Sequence, residues 1–332
     1  MQRLLRRLAA GLTCLLVAAA PAAAAPACPP PPQAPTPEQL EAARQTDRGL
    51  LWHLRRDGRS LWLYGTVHLG RPEWMQPGPR VAEALAASEV LALEIDPTDP
   101  AVQQALAQPD AAAAPLPPAL LARLGAQVAA ACLPAGALDG MAPAMQAVVL
   151  SVLRGRWLGL DPAFAQEVAL AQAARRDGRR IVALETVALQ QQVLAPAEPE
   201  AARVQVEQAL QQLESGSGRG TIARMARAWE TSDLAALEDH ASWCDCVRND
   251  AERAAMQALN DARNPALADG IEALHRAGRP VFAAVGALHM TGPAALPRLL
   301  AARGFEVQQV LPAPGAQSSA AVGTTTARGD AR

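Results

Sequence analysis

Two histidines stand in the same local setting near opposite ends of this chain. His68 closes Gly65-Thr66-Val67-His68, and His289 closes Gly286-Ala287-Leu288-His289. An apolar run precedes each glycine, 61–64 in one case and 281–285 in the other. Two further runs finish in acid: 90–93 leads into Glu94-Ile95-Asp96, and 181–184 leads into Glu185-Thr186. Imidazole nitrogen with carboxylate oxygen is a donor set for a borderline divalent metal such as Zn, Mn or Co. An ion of that kind lowers the pKa of bound water toward ~7, and a carboxylate close by can serve as general base. The chemistry indicated is hydrolysis, with His68, His289 and Glu94 as metal ligands and Glu94 and Glu185 as catalytic carboxylates. A lone histidine after a strand is ordinarily a packing or loop residue. Two in one pattern, both at strand exits, are hard to read as independent accidents.

These side chains need elements to carry them. The runs 50–56 and 60–65 flank Asp57-Gly58, a hairpin turn signal. Runs 90–94, 181–185 and 281–286 have strand length and follow helix-like stretches, with Gly178 and Gly278 marking the helix ends before the last two. A final strand is expected over 305–310. The intervals 100–176 and 199–275 read as helices broken by proline and glycine. Strands alternating with helices predict an α/β fold: a central mixed β-sheet flanked by helices, with large helical insertions. Open α/β sheets bind ligands at the carboxyl ends of their strands, so the four reactive ends should meet along one edge. The glycine three residues before each histidine is expected to let the chain turn sharply off the strand. Asp96 shares a face with Glu94 only if the strand runs on through it.

Other sites of chemistry are missing. The sequence has no H-E-x-x-H, no G-x-S-x-G nucleophile elbow, no dinucleotide fingerprint and no P-loop. His53, His240 and His275 read as structural residues.

The motifs Gly65-Thr66-Val67-His68-Leu69, Leu93-Glu94-Ile95-Asp96, Leu184-Glu185-Thr186 with Gln190, and Val285-Gly286-Ala287-Leu288-His289 resemble, in order, those of the TraB/GumN family. Gly159-Leu160-Asp161 and Arg263-Asn264 also look like family positions, and the likeness runs from about residue 50 to 310. The same set is similar to the TIKI proteases that act on Wnt ligands. The resemblance implies a metalloprotease-like site of paired Gly-x-x-His motifs with an essential glutamate, on a fold akin to the erythromycin esterases and the haem-binding ChaN proteins. Asp96, Asp161, Gln190 and Arg263 are then expected to orient ligands or hold a substrate terminus; as plain residues they read equally as helix caps and surface pairs. The chain departs from the family at Leu288 and Ala295, where small residues or glycine are common.

The ends of the chain set its context. Arg3, Arg6 and Arg7 precede an uncharged apolar stretch, 8–20, followed by Ala22-Ala23-Ala24 and Ala25-Pro26-Ala27. That is the layout of a signal peptide over 1–27, cut after Ala24 or Ala27. The expected location is the periplasm or outside the cell, without lipidation at Cys28, because Ala25 replaces the usual leucine. Residues 28–48 form a proline-rich spacer, 49–312 one domain, and 313–332 a disordered tail. No later stretch is long and apolar enough to span a bilayer. The formal charge is −2, and without the three leading arginines it is −5, which argues against nucleic acid as partner. The expected partner is a peptide or small-molecule substrate. Cys28, Cys132, Cys244 and Cys246 remain after cleavage and are disulfide candidates. The expected pairing joins Cys28 or Cys132 to the Cys244/Cys246 pair, since a bridge across one residue would be strained. Rival functions are a non-catalytic peptide- or signal-binding protein and a haem or iron carrier.

Overall fold

The computed structural model describes residues 28–107 and 115–312. The segments read as signal peptide, 1–27, and as tail, 313–332, lie outside the described residues.

A six-stranded sheet organises the chain. Its strands are β1 (Leu50–Arg56), β2 (Arg59–Thr66), β3 (Val90–Leu93), β4 (Arg180–Ala183), β5 (Val281–Gly286) and β6 (Glu306–Leu311). They lie in the order β4-β3-β5-β2-β1-β6. The first four of that row run parallel to one another, while β1 pairs antiparallel with both β2 and β6. The sheet is therefore mixed, as expected. Asp57 and Gly58 both take left-handed backbone, φ 54° and 69°, the twist a two-residue hairpin needs. Strands β3 and β5 are apolar and buried along almost their whole length, as strands covered by helices on both faces must be.

Phe282, Leu91, Leu93, Leu61, Leu63, Trp74 and Trp229 fill the core around the sheet. A second apolar cluster lies in the helical insertions. There Leu120 and Leu124 of the helix Pro118–Ala130, Leu150 of Pro143–Leu153, and Val206 and Leu210 of Pro199–Ser215 pack together. Within the segment read as a spacer, Pro37–Arg44 is a helix, started by a capping box between Thr36 and Gln39. Among the described residues no helix is long and apolar enough to cross a membrane.

The disulfide pairing corrects the expectation. Cys28 bonds Cys132, and Cys244 bonds Cys246. The short bridge forms because Asp245 adopts left-handed backbone, φ 53°. That brings the Cα atoms of its two neighbours to 5.1 Å, inside the range a disulfide spans. With Cys244 satisfied locally, Cys132 is left to fasten the N-terminal segment.

Candidate functional site

Four parallel strands end side by side, so their exits share one edge of the sheet. Along that edge stand Glu185 after β4, Glu94 after β3, the turn carrying His289 after β5, and His68 after β2. The strands leading to the two histidines, β2 and β5, are direct neighbours, with Thr66 opposite Gly286. Past β3 and β4 the pairing continues one step, as the Glu185 amide donates to the Glu94 carbonyl at 2.9 Å. This fixes the two acids next to each other.

Both carboxylates are buried and share donors. Arg263 Nε donates to Glu185 Oε1 at 2.8 Å, and Nη2 donates to Glu94 Oε2 at 2.5 Å and also to Glu185 Oε2. The Gln190 amide bridges the same two oxygens at 3.1 Å each. Glu94 Oε1 accepts from the Gly286 amide at 2.7 Å. Burial opposes the charge on Glu94, yet His289, His68, Arg263 and the Gly286 amide together bring its pKa down to about 2.

His289 is buried in the 3-10 turn Ala287–Met290. Its Nδ1 meets Asn264 Oδ1 at 2.6 Å. The Asn264 amide nitrogen donates to the carbonyls of His289 and Ala294 at 3.3 and 2.8 Å. That network turns Oδ1 toward the ring, so Nδ1 carries the proton and Nε2 keeps its lone pair. Nε2 faces Glu94 Oε1 at 3.7 Å. Burial depresses the imidazole to about 4. Being neutral at pH 7, His289 exerts no pull on Glu94 there; Arg263, protonated His68 and the amide do so.

His68 is the open member of the set, 67% exposed, with Nδ1 3.1 Å from Glu167 Oε1. The Glu167 carboxylate raises it to about 9, against the effect of burial, though solvent at so open a ring screens part of that attraction. Glu167 is buried, accepts a hydrogen bond from the Thr66 hydroxyl, and leaves Oε2 without a partner among the described residues. It sits in the first turn of the helix Gln166–Arg176, where a carboxylate is favoured. That helix start is strapped to the His68 loop: Gln166 N donates to Val67 O at 3.1 Å, and Gly70 and Asp161 exchange backbone bonds at 3.2 and 2.8 Å.

The glycines work differently from the sequence expectation. Neither Gly65 nor Gly286 is among the residues with positive φ, and Gly286, at φ −52° and ψ 140°, adopts backbone open to any residue. The need is for space. A Cβ on Gly65 would lie 3.1 Å from Ala287 Cα, and one on Gly286 would lie 3.4 Å from Glu94 Oε1, 3.6 Å from His289 Cδ2 and 3.7 Å from His68 Nε2. The last three distances show that Glu94, His289 and His68 converge on one point.

The remaining expected residues divide. Gln190 and Arg263 join the cluster. The Asp96 carboxylate does not: β3 stops at Leu93, and Asp96 caps Thr98 at 3.0 Å and pairs with Arg175 at 2.8 Å. Asp161 pairs with Arg156 at 2.8 Å and caps Ala163, so it supports the His68 loop through its backbone alone. Leu288 packs against the core. Sequence reasoning missed Glu167 altogether and left Asn264 without a role. One signal was present for Asn264, its place directly after Arg263 at the start of the helix Asn264–Arg276.

A mixed α/β sheet with a buried histidine, glutamate and arginine cluster at its parallel strand exits defines the class. The profile of the TraB/PrgY/gumN family matches residues 50–309, and the chain belongs to that family. No curated protein and no solved structure matches it.

The two imidazole environments give a titration prediction. By NMR, the His68 ring should titrate above 6.5 and no higher than about 9, and the His289 ring near 4. Folding stability follows. His68, raised from 6.5, contributes fully below 6.5, and its contribution disappears as pH climbs through 9. His289 is depressed, so the unfolded chain takes up a proton near 6.5 that the folded chain refuses until about 4; stability falls as pH drops through that window. Glu94 stabilises above 4.5 and loses that contribution as pH falls to about 2. Two rings titrating together near 6.5 would contradict the assigned environments.

Proposed function

We propose that the protein is an exported, metal-dependent hydrolase acting on peptides. One observation carries the reading: His289 Nε2 and Glu94 Oε1, both acceptors, face each other at 3.7 Å, with His68 Nε2 converging on them. Two acceptors so placed are stabilised by a shared cation. Among the described residues no group of three or more His, Cys, Asp or Glu side chains is arranged to hold a metal ion. The donor chemistry nevertheless fits, because each imidazole has its Nδ1 engaged, by Asn264 or by Glu167, the usual preparation of a ligating histidine; Nε2 is a free acceptor on His289, and on His68 an ion would displace the Nε2 proton.

His68, His289 and Glu94 would hold a divalent ion such as Zn, Mn or Co. Such an ion supplies Lewis acidity and a water acidic enough to attack a carbonyl at neutral pH. Asn264 and Glu167 fix the two rings. Arg263, Gln190 and the Gly286 amide hold Glu94 ionised, and a pKa of about 2 suits a ligand better than a general base. Glu185 holds Arg263 in place. The two disulfides suit an oxidising compartment and support the reading of 1–27 as a signal peptide.

Metal analysis of the purified protein, paired with a peptide-library cleavage assay, tests this. A stoichiometric divalent ion and chelator-sensitive cleavage are expected. His68→Ala and His289→Ala should each abolish cleavage and leave the far-UV spectrum and melting cooperative. Cleavage that survives both substitutions sinks the reading. Metal bound without cleavage of any peptide would leave a binding protein in place of an enzyme.

A further inference from the structure

A cavity of about 230 Å³ lies behind the His68 loop, between the helical insertions and the start of the helix Gly218–Glu230. Its walls are mainly apolar, with Leu69, Val152, Leu213 and Ile222 among them, and no Asp or Glu lines it. Two arginines do. Arg154 donates to Gln127 Oε1 and the Leu213 carbonyl at 2.7 and 3.1 Å, both neutral acceptors. Arg219 is exposed in the first turn of its helix, which has no acidic residue there and no side-chain cap from Ser217. Among the described residues neither arginine has a carboxylate partner, although most other arginines here do. A cation in the first turn of a helix adds to the positive end of its dipole, and Arg154 also feels the Arg219 charge. Arg154 also lies over the Trp157 ring at 5.5 Å, but this concentration of positive charge without a carboxylate, over an apolar hollow, is what an anion with an apolar body would relieve.

We propose that this cavity binds a carboxylate carried on a compact apolar group, the C-terminal residue of a peptide, with Arg154 and Arg219 on the carboxylate and the side chain against Leu69, Val152, Leu213 and Ile222. The choice of a peptide as source rests on the peptidase reading; the site itself does not. Leu69 directly follows His68, so an occupant touches the loop that carries the open imidazole.

Calorimetric titration with N-acetyl-leucine, N-acetyl-leucine amide and octanoate separates the outcomes. The disulfide-intact protein should bind N-acetyl-leucine at least about tenfold more tightly than its amide, as loss of a charge-assisted pair implies. Arg219→Gln, an exposed substitution, should weaken that binding about tenfold and leave the melting temperature unchanged. His68→Ala should leave it intact, so failure of the hydrolase reading is told apart from failure of this one. Equal binding of acid and amide, or an unaffected Arg219→Gln variant, overturns the site. Octanoate binding more tightly than N-acetyl-leucine overturns the peptide assignment.

Discussion

Replacing Arg263 by methionine should destabilise the fold by about 3–5 kcal/mol, the range for removing one partner of a buried ion pair. The Arg263 side chain is 9% exposed, and its guanidinium lies between the carboxylates of Glu94 and Glu185, whose side chains are 7% and 2% exposed. Without it, two buried negative charges face each other with Gln190 as their remaining shared donor. Such a pair cannot both stay ionised cheaply, so one carboxyl takes up a proton and its pKa rises above the unfolded value. A raised carboxyl binds more protons folded than unfolded, so the variant loses stability as pH rises. Urea unfolding should show the deficit largest above pH 7 and smaller near pH 5. Glu185→Gln on the Arg263→Met background should recover part of it, because one of the opposed charges is gone. A deficit independent of pH, or no recovery in the double variant, would show that Arg263 acts through packing.

How far the sequence carried can be judged from particular residues. The strands were legible because their apolar runs are short and punctuated by Asp57-Gly58, Gly178 and Gly278. With the strands came their exits, and therefore Glu94, Glu185, His68 and His289 along one edge. Asp96 shows the limit of alternation, because a face argument holds only while the chain stays extended, and β3 ends three residues before it. Glu167 was invisible for another reason. It reaches His68 from a helix about a hundred residues further along the chain, and no local period records that meeting. Asn264 is similar: what matters is its burial beside His289, which follows from how its helix docks. The cysteine pairing turned on one backbone angle at Asp245, and residue type alone does not fix that.

The two motif glycines should part company when each is changed to alanine. Gly65→Ala puts a methyl 3.1 Å from Ala287 Cα and 3.3 Å from both Leu50 Cβ and Met290 Cγ. The neighbours are backbone and core, so the substitution should cost about 1–3 kcal/mol, as overpacking does. At Gly286 the backbone accepts alanine, the new methyl makes ordinary contacts of 3.4 to 3.7 Å, and the peptide N–H still reaches Glu94. Its stability should stay within about 0.5 kcal/mol of the parent. Its chemistry should not survive, because the methyl stands against Glu94 Oε1, His289 Cδ2 and His68 Nε2 at once. An ion or a substrate atom lying among those groups shares that volume. Divalent-ion affinity, read by competition with a chromogenic chelator, should fall about 10–100-fold, the loss typical of disturbing the surroundings of ligands. Gly65→Ala should keep its affinity at temperatures where it is folded. An alanine at Gly286 that binds the ion as well as the parent would remove this glycine from the site and leave both motifs with a packing role.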